Sequence, residues 1–403
     1  MKILLATDTY YPNVDGASYF TQRLAQALTL KGHHVFVIAP SESFADAISD
    51  VKGVTVYWIR SMPVPWYPHR RWSPLWFTSS PIRRAVYEIA PDIIHVQNHF
   101  MIGRRVVEAA KHFQIPVMGT NHFMPENLVY YFRCPKFAQR RFVECLWRQF
   151  IKVYQQLDLV TTPTITALNL LKKIGFTKET MVISCGIDLE RFNPNNDGAY
   201  LKQRYGVPSD RPILLYVGRM DKEKRADTIL RAMPLASRDI DVHLVLAGIG
   251  RERLNLDVMA RELGIRDAVT FTNFVPDEDL PNLYKIADVF VIAGIAELQS
   301  LVTMEAMASG LPIVAVNAMA LPELVHDGEN GFLFPEDNSQ ALADRLVAIL
   351  TDESLKKRMG ERSLTIIEKH DLRRVVDTFE SAYRSVLGQH AYMQAATTLK
   401  LQE

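Results

Sequence analysis

The apolar run Val289-Phe290-Val291-Ile292-Ala293 is followed, after three residues, by Glu297, and a second apolar run, Ile313-Val314-Ala315-Val316, opens just past Gly310-Leu311-Pro312. Between the runs lies Glu297-Leu298-Gln299-Ser300-Leu301-Val302-Thr303-Met304-Glu305, continuing into Ala306-Met307-Ala308-Ser309. Short β-branched runs bounded by turn signals read as buried strands, and Gly followed by Pro stops a helix. The order is therefore strand, loop with an acid, helix with a second acid, stop, strand. In a parallel α/β sheet this places both carboxylates at the carboxyl edge of the strands, where ligands bind. The helix N-terminus there presents backbone N–H groups suited to phosphate. Taken singly, Glu297 reads as a solvated loop acid and Glu305 as a helix-surface residue. Their shared edge is what makes them a candidate site.

Upstream, Pro212-Ile213-Leu214-Leu215-Tyr216-Val217 is a strand ending in Gly218-Arg219, with Lys224 five residues on. Gly allows close backbone approach, Arg offers a bidentate fork and Lys a point charge, the parts of a phosphate clamp. A basic surface turn is the plainer reading of the same residues. Two further strands end in turns, His243–Ala247 before Gly248-Ile249-Gly250 and Val269–Phe274 before Val275-Pro276. Asp239-Ile240-Asp241 has the form of a metal-binding Asp-x-Asp but sits at a strand start, the wrong end for a ligand. No metal constellation is evident in the sequence.

The first half begins as a βαβ unit. Lys2–Thr7 is a strand, a loop runs to Gly16-Ala17, and a helix is expected from about Ser18 to Lys31. Two later strands end in histidine, Pro91–Val96 with His95 and Ile115–Thr120 leading to His122. A lone His at a strand end is usually structural.

Residues 60–84 hold five Arg, three Trp and no acid, with several Pro that argue against a long helix. Trp with Arg suits a membrane interface or polyanion surface. A Pro-rich loop packing its own aromatics accounts for them equally. From Leu128 to Tyr154 aromatics alternate with cations. Leu146, Phe150, Val153 and Leu157 form a core-facing stripe, and the opposite face reads as basic with Trp147, as in an interfacial helix. Tyr130, Tyr131, Phe132 and Arg133 belong to the same run.

The 403 residues suit two domains, and 48% hydrophobic with 23% charged content is that of a soluble globular chain. The net charge of +1 conceals an asymmetry: residues 1–200 carry 22 Lys/Arg against 15 Asp/Glu, and residues 201–403 carry 24 against 30. A basic first half could face anionic lipid or an anionic acceptor; no nucleic-acid motif accompanies it. No apolar run approaches the ~18 residues that span a bilayer. Cys134, Cys145 and Cys185 have no metal or redox spacing, which with the absence of a signal sequence suggests a cytoplasmic chain, peripheral on the cytosolic membrane face in the lipid case. The Asn-, Pro-, Gly- and Asp-rich residues 190–210 read as the interdomain linker.

The Glu-x7-Glu string, with Glu-Ala-Met-Ala-Ser-Gly-Leu-Pro at its end, Pro322-Glu323-Leu324-Val325, Asp327-Gly328-Glu329-Asn330-Gly331 and the earlier Gly-Arg-x4-Lys, resembles the signature of retaining GT-B glycosyltransferases of the large family 4, group 1 type. That family includes diacylglycerol glucosyltransferases and phosphatidylinositol mannosyltransferases. Ser300 stands where members often carry Gly, and Cys185 replaces the Asn of an Asn-Gly-Val-Asp turn.

The resemblance implies an α/β, GT-B fold, with two Rossmann-like domains facing a central cleft. They would comprise residues 1–190 on the acceptor side and 200–370 on the nucleotide-sugar side, with a helix over 371–388 crossing back. It implies a hexosyltransferase using a UDP- or GDP-linked sugar, without a metal or other cofactor. In the roles it carries over, Arg219 and Lys224 hold the diphosphate with Gly16 and the N–H groups of Leu301 and Val302. Glu305 holds the ribose, Glu297 the donor sugar, and His122 stands at the reacting centre. The loops at Gly248 and Val275 cradle the base. The partners are then a nucleotide sugar and a lipid or sugar acceptor, with an anionic membrane surface for the lipid case and no nucleic acid. A nucleotide-sugar epimerase, or a non-catalytic sugar-nucleotide-binding protein, ranks lower, because neither is expected to keep the acid pair together with the Arg-Lys clamp.

Overall fold

The computed structural model describes residues 1–12, 15–64, 67–129 and 135–400, with the side chains of 67–70 and 394–400 outside the description. Trp66, Tyr130, Tyr131, Phe132, Arg133, Cys134 and the side chain of Arg70 therefore lie outside the described residues. The chain divides into two compact units: one of residues 1–125, 133–186 and Leu372 onward, the other of Ile187–Asp371 with a short stretch starting at Glu126.

In the first unit the chain runs β1 (Lys2–Ala6), α1 (Gly16–Leu30), β2 (His34–Pro40), β3 (Ala47–Val51), β4 (Val54–Ile59), β5 (Met62–Val64), β6 (Tyr67–Trp72) and α2 (Leu75–Ile89). It continues through β7 (Ile93–Val96), α3 (Met101–Phe113), β8 (Val117–Thr120), α4 (Glu126–Val129), α5 (Lys136–Tyr154), β9 (Leu159–Thr162), α6 (Ile165–Lys173) and β10 (Thr180–Val182). Of these, α4 groups with the second unit. Eight strands form one sheet in the order β10-β9-β8-β7-β1-β2-β4-β3, every pair parallel except β3 with β4. The central strands are apolar on both faces because helices cover both, as parallel sheets require.

The second unit runs α7 (Ala199–Tyr205), β11 (Ile213–Val217), α8 (Ala226–Ala236), β12 (His243–Ala247), α9 (Arg253–Glu262), β13 (Val269–Asn273), α10 (Leu280–Leu283) and β14 (Val289–Ile292). It ends with α11 (Leu301–Ala308), β15 (Ile313–Val316), β16 (Gly331–Phe334), α12 (Ser339–Leu350) and α13 (Glu353–Ile367). Its six strands are all parallel, in the order β13-β12-β11-β14-β15-β16. A last helix, α14 (Leu372–Lys400), belongs to the first unit. In both sheets the winding reverses beside the first strand, at β1/β7 and at β11/β14. Such reversals open a crevice at the carboxyl ends of the strands.

Four local expectations change. Pro81 lies inside the 15-residue α2 and does not prevent it. Proline forfeits one N–H and its fixed φ suits a helix, while Ile82, Ala85, Val86 and Ile89 bury the helix's apolar stripe. Trp147 is buried, 5% exposed, with its ring 5.5 Å from both Phe123 and Phe150, so it belongs to the core stripe and not to the basic face. The segment expected as linker contains α7, which buries Leu201 in the second unit; the chain passes between units at Gly186/Ile187. Gly388 does not end the last helix. A single glycine costs a helix about 1 kcal/mol, and buried Phe379, Tyr383 and Val386 anchor the turns before it.

Candidate active site

In the second unit the site stands on the reversal between β11 and β14. Gly218 and Arg219 follow β11, and Glu297 lies in the loop after β14. Lys224 closes a single 3-10 turn, Lys222–Lys224, and its Nζ lies 2.6 Å from Glu297 Oε1. The Ile295 N–H donates to Glu223 O at 3.1 Å, which ties the two loops by backbone as well.

Arg219 is held by acids of its own loop. Its guanidinium bonds the Asp221 carboxylate and donates to Glu223 Oε1 at 2.9 Å, while its carbonyl accepts the Tyr216 hydroxyl at 2.7 Å. Asp221 and Glu223 are 4% and 1% exposed, so these bonds are made where charge must be paired. The partly exposed guanidinium is thereby fixed at the strand end. Asp221 reaches further: its Oδ1 accepts the N–H of Arg251, 3.2 Å away in the turn after β12.

The Gly248-Ile249-Gly250 turn packs backbone to backbone on the clamp loop. A Cβ at Gly248 would come 2.0 Å from Gly218 O, and one at Gly250 would come 2.3 Å from Met220 O. The Met220 N–H donates to Ile249 O at 2.8 Å. Val275, expected in the base-binding loop, is buried, whereas Phe274 before it and Ile249 beside Gly248 are 50% and 46% exposed. These two side chains, which the sequence did not single out, are the apolar surface offered at the ends of β12 and β13.

Leu301 and Val302 open α11. Ser300 is its N-cap, with Oγ accepting the Thr303 N–H at 3.3 Å, so the departure from Gly supplies a cap. One turn in, Glu305 is 3% exposed and its Oε2 accepts the Tyr284 hydroxyl at 2.8 Å. Glu305 is thus a buried carboxylate with a dedicated donor.

In the first unit, Gly16 is the first residue of α1, two residues earlier than expected, because Asp15 is the N-cap. Asp15 Oδ1 accepts the Ser18 N–H at 2.9 Å and Oδ2 the Thr9 hydroxyl at 2.6 Å. His122 follows β8; its Nε2 lies 3.1 Å from Gln97 Oε1, and the Phe20 ring packs on it at 4.7 Å. Burial pulls its pKa down to about 4, opposed by the Asp15 carboxylate, so the imidazole is neutral at physiological pH. With Gln97 accepting, Nε2 carries the proton and Nδ1 the lone pair. Asp8, after β1, receives the N–H groups of Ile102 and Gly103 at the head of α3, and burial raises its pKa to about 6.

His95 is wholly buried, with Nδ1 2.8 Å from Tyr383 Oη and Nε2 2.7 Å from Thr120 Oγ1. Its place is structural: it joins α14 to the end of β8. No cluster of His, Cys, Asp and Glu able to hold a metal occurs among the described residues. No described helix is long and apolar enough to cross a membrane.

Sequence reasoning passed over Gln97, Asp221, Glu223 and Tyr284. Asp221 and Glu223 carried a signal in their alternation with the cations of the clamp loop. Gln97 and Tyr284 carried none, since each meets its partner only through the sheet.

Residues 199–365 match the family model described as glycosyl transferases group 1, and residues 14–191 match that of glycosyltransferase family 4. The chain is 29% identical over 372 residues to the alpha-monoglucosyldiacylglycerol synthase of Streptococcus pneumoniae, covering 90% of this chain and 82% of that protein. It is 26% identical over 403 residues to a GDP-mannose-dependent alpha-mannosyltransferase of Mycobacterium tuberculosis, covering 98% and 99%. Among solved structures it resembles HepE of Anabaena in complex with UDP and glucose, with a TM-score of 0.77 at 20% identity, covering 96% of this chain and all of that one.

Proposed function

The chain belongs to the family 4, group 1 glycosyltransferases of GT-B fold, and we propose that it transfers a hexose, with retention at the anomeric carbon, from a UDP- or GDP-sugar to a hydroxyl of a membrane lipid of diacylglycerol or phosphoinositide type. The observation that carries the reading is the grouping of Arg219, Lys224 and Glu297 on one strand reversal, with Glu305 one turn into the helix that follows.

In this reading Arg219 and Lys224 bind the donor diphosphate, with the N–H groups of Leu301 and Val302 and with Gly16 assisting. Arg219 is preset by Asp221 and Glu223, so little reorganisation is needed as charge builds on the departing nucleoside diphosphate. Lys224 is paired with Glu297 in the absence of donor; phosphate takes the ammonium, and the Glu297 carboxylate turns to the sugar hydroxyls. Glu305 receives the ribose, and Gly248 and Val275 belong to the loops that receive the base. His122, neutral, stands on the acceptor side, and the acceptor hydroxyl passes its proton to the leaving phosphate on the same face. Arg219, Lys224 and the N–H groups opening α11 face the charge that builds on the leaving group, and this reading calls on no metal.

The lipid acceptor draws support from the pneumococcal relative, named as an alpha-monoglucosyldiacylglycerol synthase, and from α5. There Phe137, Arg140 and Arg148 are 73%, 83% and 71% exposed; the two Arg pair with Glu144 of the same helix, and Arg141 and Lys152 add exposed cations on the same side. Arg71 is spoken for by Ser41 O and Ser61, so it contributes structure and not a free cation.

The test is nucleoside diphosphate release and product mass from a panel of UDP-, GDP- and ADP-sugars, with and without vesicles of anionic phospholipid and diacylglycerol. Glycolipid formed only with vesicles supports the reading. Product on a soluble sugar without vesicles overturns the lipid acceptor and leaves the transfer chemistry standing.

A further inference from the structure

Glu305 is a flexible residue type asked to meet two ribose hydroxyls at one fixed angle. Left alone in a buried helix face, its carboxylate would have to be ordered each time donor arrives. The structure supplies an ordering group from 21 residues earlier in the chain. The Tyr284 hydroxyl donates to Glu305 Oε2 at 2.8 Å, and Tyr284 itself has no exposed surface.

The phenol cannot easily turn away. Its ring lies 5.9 Å from both the Phe192 and the Phe290 rings, the former edge-on. Tyr284 starts a 3-10 turn directly after α10, and α10 is pinned from α7: Asp279, 7% exposed, accepts the Tyr200 hydroxyl at 2.5 Å and pairs with Arg204. Asn282 donates to the same Tyr200 hydroxyl at 3.1 Å. The base of α7 is fitted to this segment, since a Cβ at Gly198 would come 2.3 Å from Asn282 O. One continuous set of contacts thus runs from α7 through α10 to one oxygen of Glu305.

We propose that Tyr284 is a positioning residue for donor recognition, presenting the Glu305 carboxylate so that the site selects ribonucleoside over deoxyribonucleoside diphosphates. The proposal rests on the reading of Glu305 as the ribose-binding group. Deleting the ribose hydroxyl removes its contact with a buried carboxylate, which is a steep form of discrimination.

Calorimetric affinities of wild type, Tyr284→Phe, Glu305→Gln and the double variant are measured for UDP, GDP and ADP and for their 2′-deoxy and 3′-deoxy forms. Phe keeps the ring and its packing, and a thermal unfolding scan verifies the fold. Wild type should favour the ribonucleotide, and Tyr284→Phe should weaken that ligand about tenfold while changing a deoxy form less than about twofold. The double variant should then lose little beyond Glu305→Gln alone, because the two groups act as one. Equal losses on ribo and deoxy ligands in Tyr284→Phe, or ribose selection undiminished in it, overturn the proposal while leaving Glu305 in place. A wild type blind to the deletion of either hydroxyl, with Glu305→Gln likewise unaffected, removes the ribose reading of Glu305 and the proposal with it.

Discussion

Lys224 Nζ and Glu297 Oε1 stand 2.6 Å apart, joining the loop after β11 to the loop after β14 across the point where the strand order reverses. Both side chains are largely shielded, 20% and 11% exposed. The pair therefore places an ammonium and a carboxylate together where the proposed function gives each another use, one for phosphate and one for sugar hydroxyls.

Competition within that pair can be measured. Lys224→Ala should lower kcat/KM by about 10²–10³, the range seen when one donor to developing charge is removed. Glu297→Gln should act in opposite senses on binding and turnover. The free nucleoside diphosphate should bind about fivefold more tightly, since the ammonium no longer prefers a carboxylate, while transfer slows. Calorimetry with UDP and GDP beside steady-state rates checks both. Weaker nucleotide binding in Glu297→Gln would show that the carboxylate orients Lys224 instead of competing for it.

Asp221 serves two loops at once, with Arg219 on one oxygen and the Arg251 N–H on the other. Asp221→Asn keeps an acceptor for the N–H and removes the charge facing the guanidinium. It should weaken UDP or GDP binding about tenfold and the corresponding nucleoside much less. Asp221→Ala should weaken both, because the turn carrying Gly248 and Gly250 loses its tie. Equal losses from the two substitutions would place the role of Asp221 in folding alone.

How far these groups were legible in the sequence follows from how local their determinants are. Glu297, Glu305, Arg219 and Lys224 sit in a fixed order of strand, turn and helix, so their place at the sheet edge could be read directly. Asp221 meets Arg251 thirty residues on, and Gln97 meets His122 only because β7 and β8 are neighbours, which no local pattern announces. Trp147 misled for another reason: among Arg141, Arg148 and Lys152 its composition signalled an interface. Its register, three before Phe150 and seven before Tyr154, put it in the core instead. The GT-B class was legible through the resemblance carried by the Glu-x7-Glu string and the Gly-Arg-x4-Lys turn, while the alternation of apolar strands and helices in both halves gave only the α/β class. The exact crossing between units was not legible, since Asn, Pro and Gly around residues 193–198 cap and fit α7 instead of freeing the chain.

Gln97 accepts from His122, and replacing it tests whether the imidazole's orientation matters. Gln97→Leu keeps the bulk and removes the acceptor, and should lower kcat about 10–100-fold with a smaller change in KM for donor. Gln97→Glu should restore much of the rate. Its carboxylate beside the ring favours the imidazolium and raises the His122 pKa from about 4 toward neutrality, so the acid limb of the pH–rate profile should move upward. An unmoved profile in Gln97→Glu would separate His122 from the rate.

His99 offers a stability test away from the donor groups. The residue is 3% exposed, neither ring nitrogen has a hydrogen-bond partner, and the rings of Phe100, Phe123 and Phe150 lie 4.4, 4.5 and 5.4 Å away. Burial depresses its pKa from 6.5 to about 3. Above pH 6.5 both native and unfolded chains hold it neutral, and it adds no pH dependence. As pH falls from about 6.5 toward 3 the unfolded chain takes up a proton that the native state refuses, so the native state loses stability by up to about 1.4 kcal/mol per pH unit. His99→Phe removes that proton uptake and the unmatched ring nitrogens together. Urea unfolding should show a gain of about 1–3 kcal/mol at pH 7.5, growing steadily as the buffer is taken down to pH 5. Buried His95, with its pKa near 3, still titrates in the variant, so the acid slope should shrink by one proton and not vanish. A gain that stays constant with pH would mean that His99 is already refused a proton in the unfolded chain, or accepts one in the native protein.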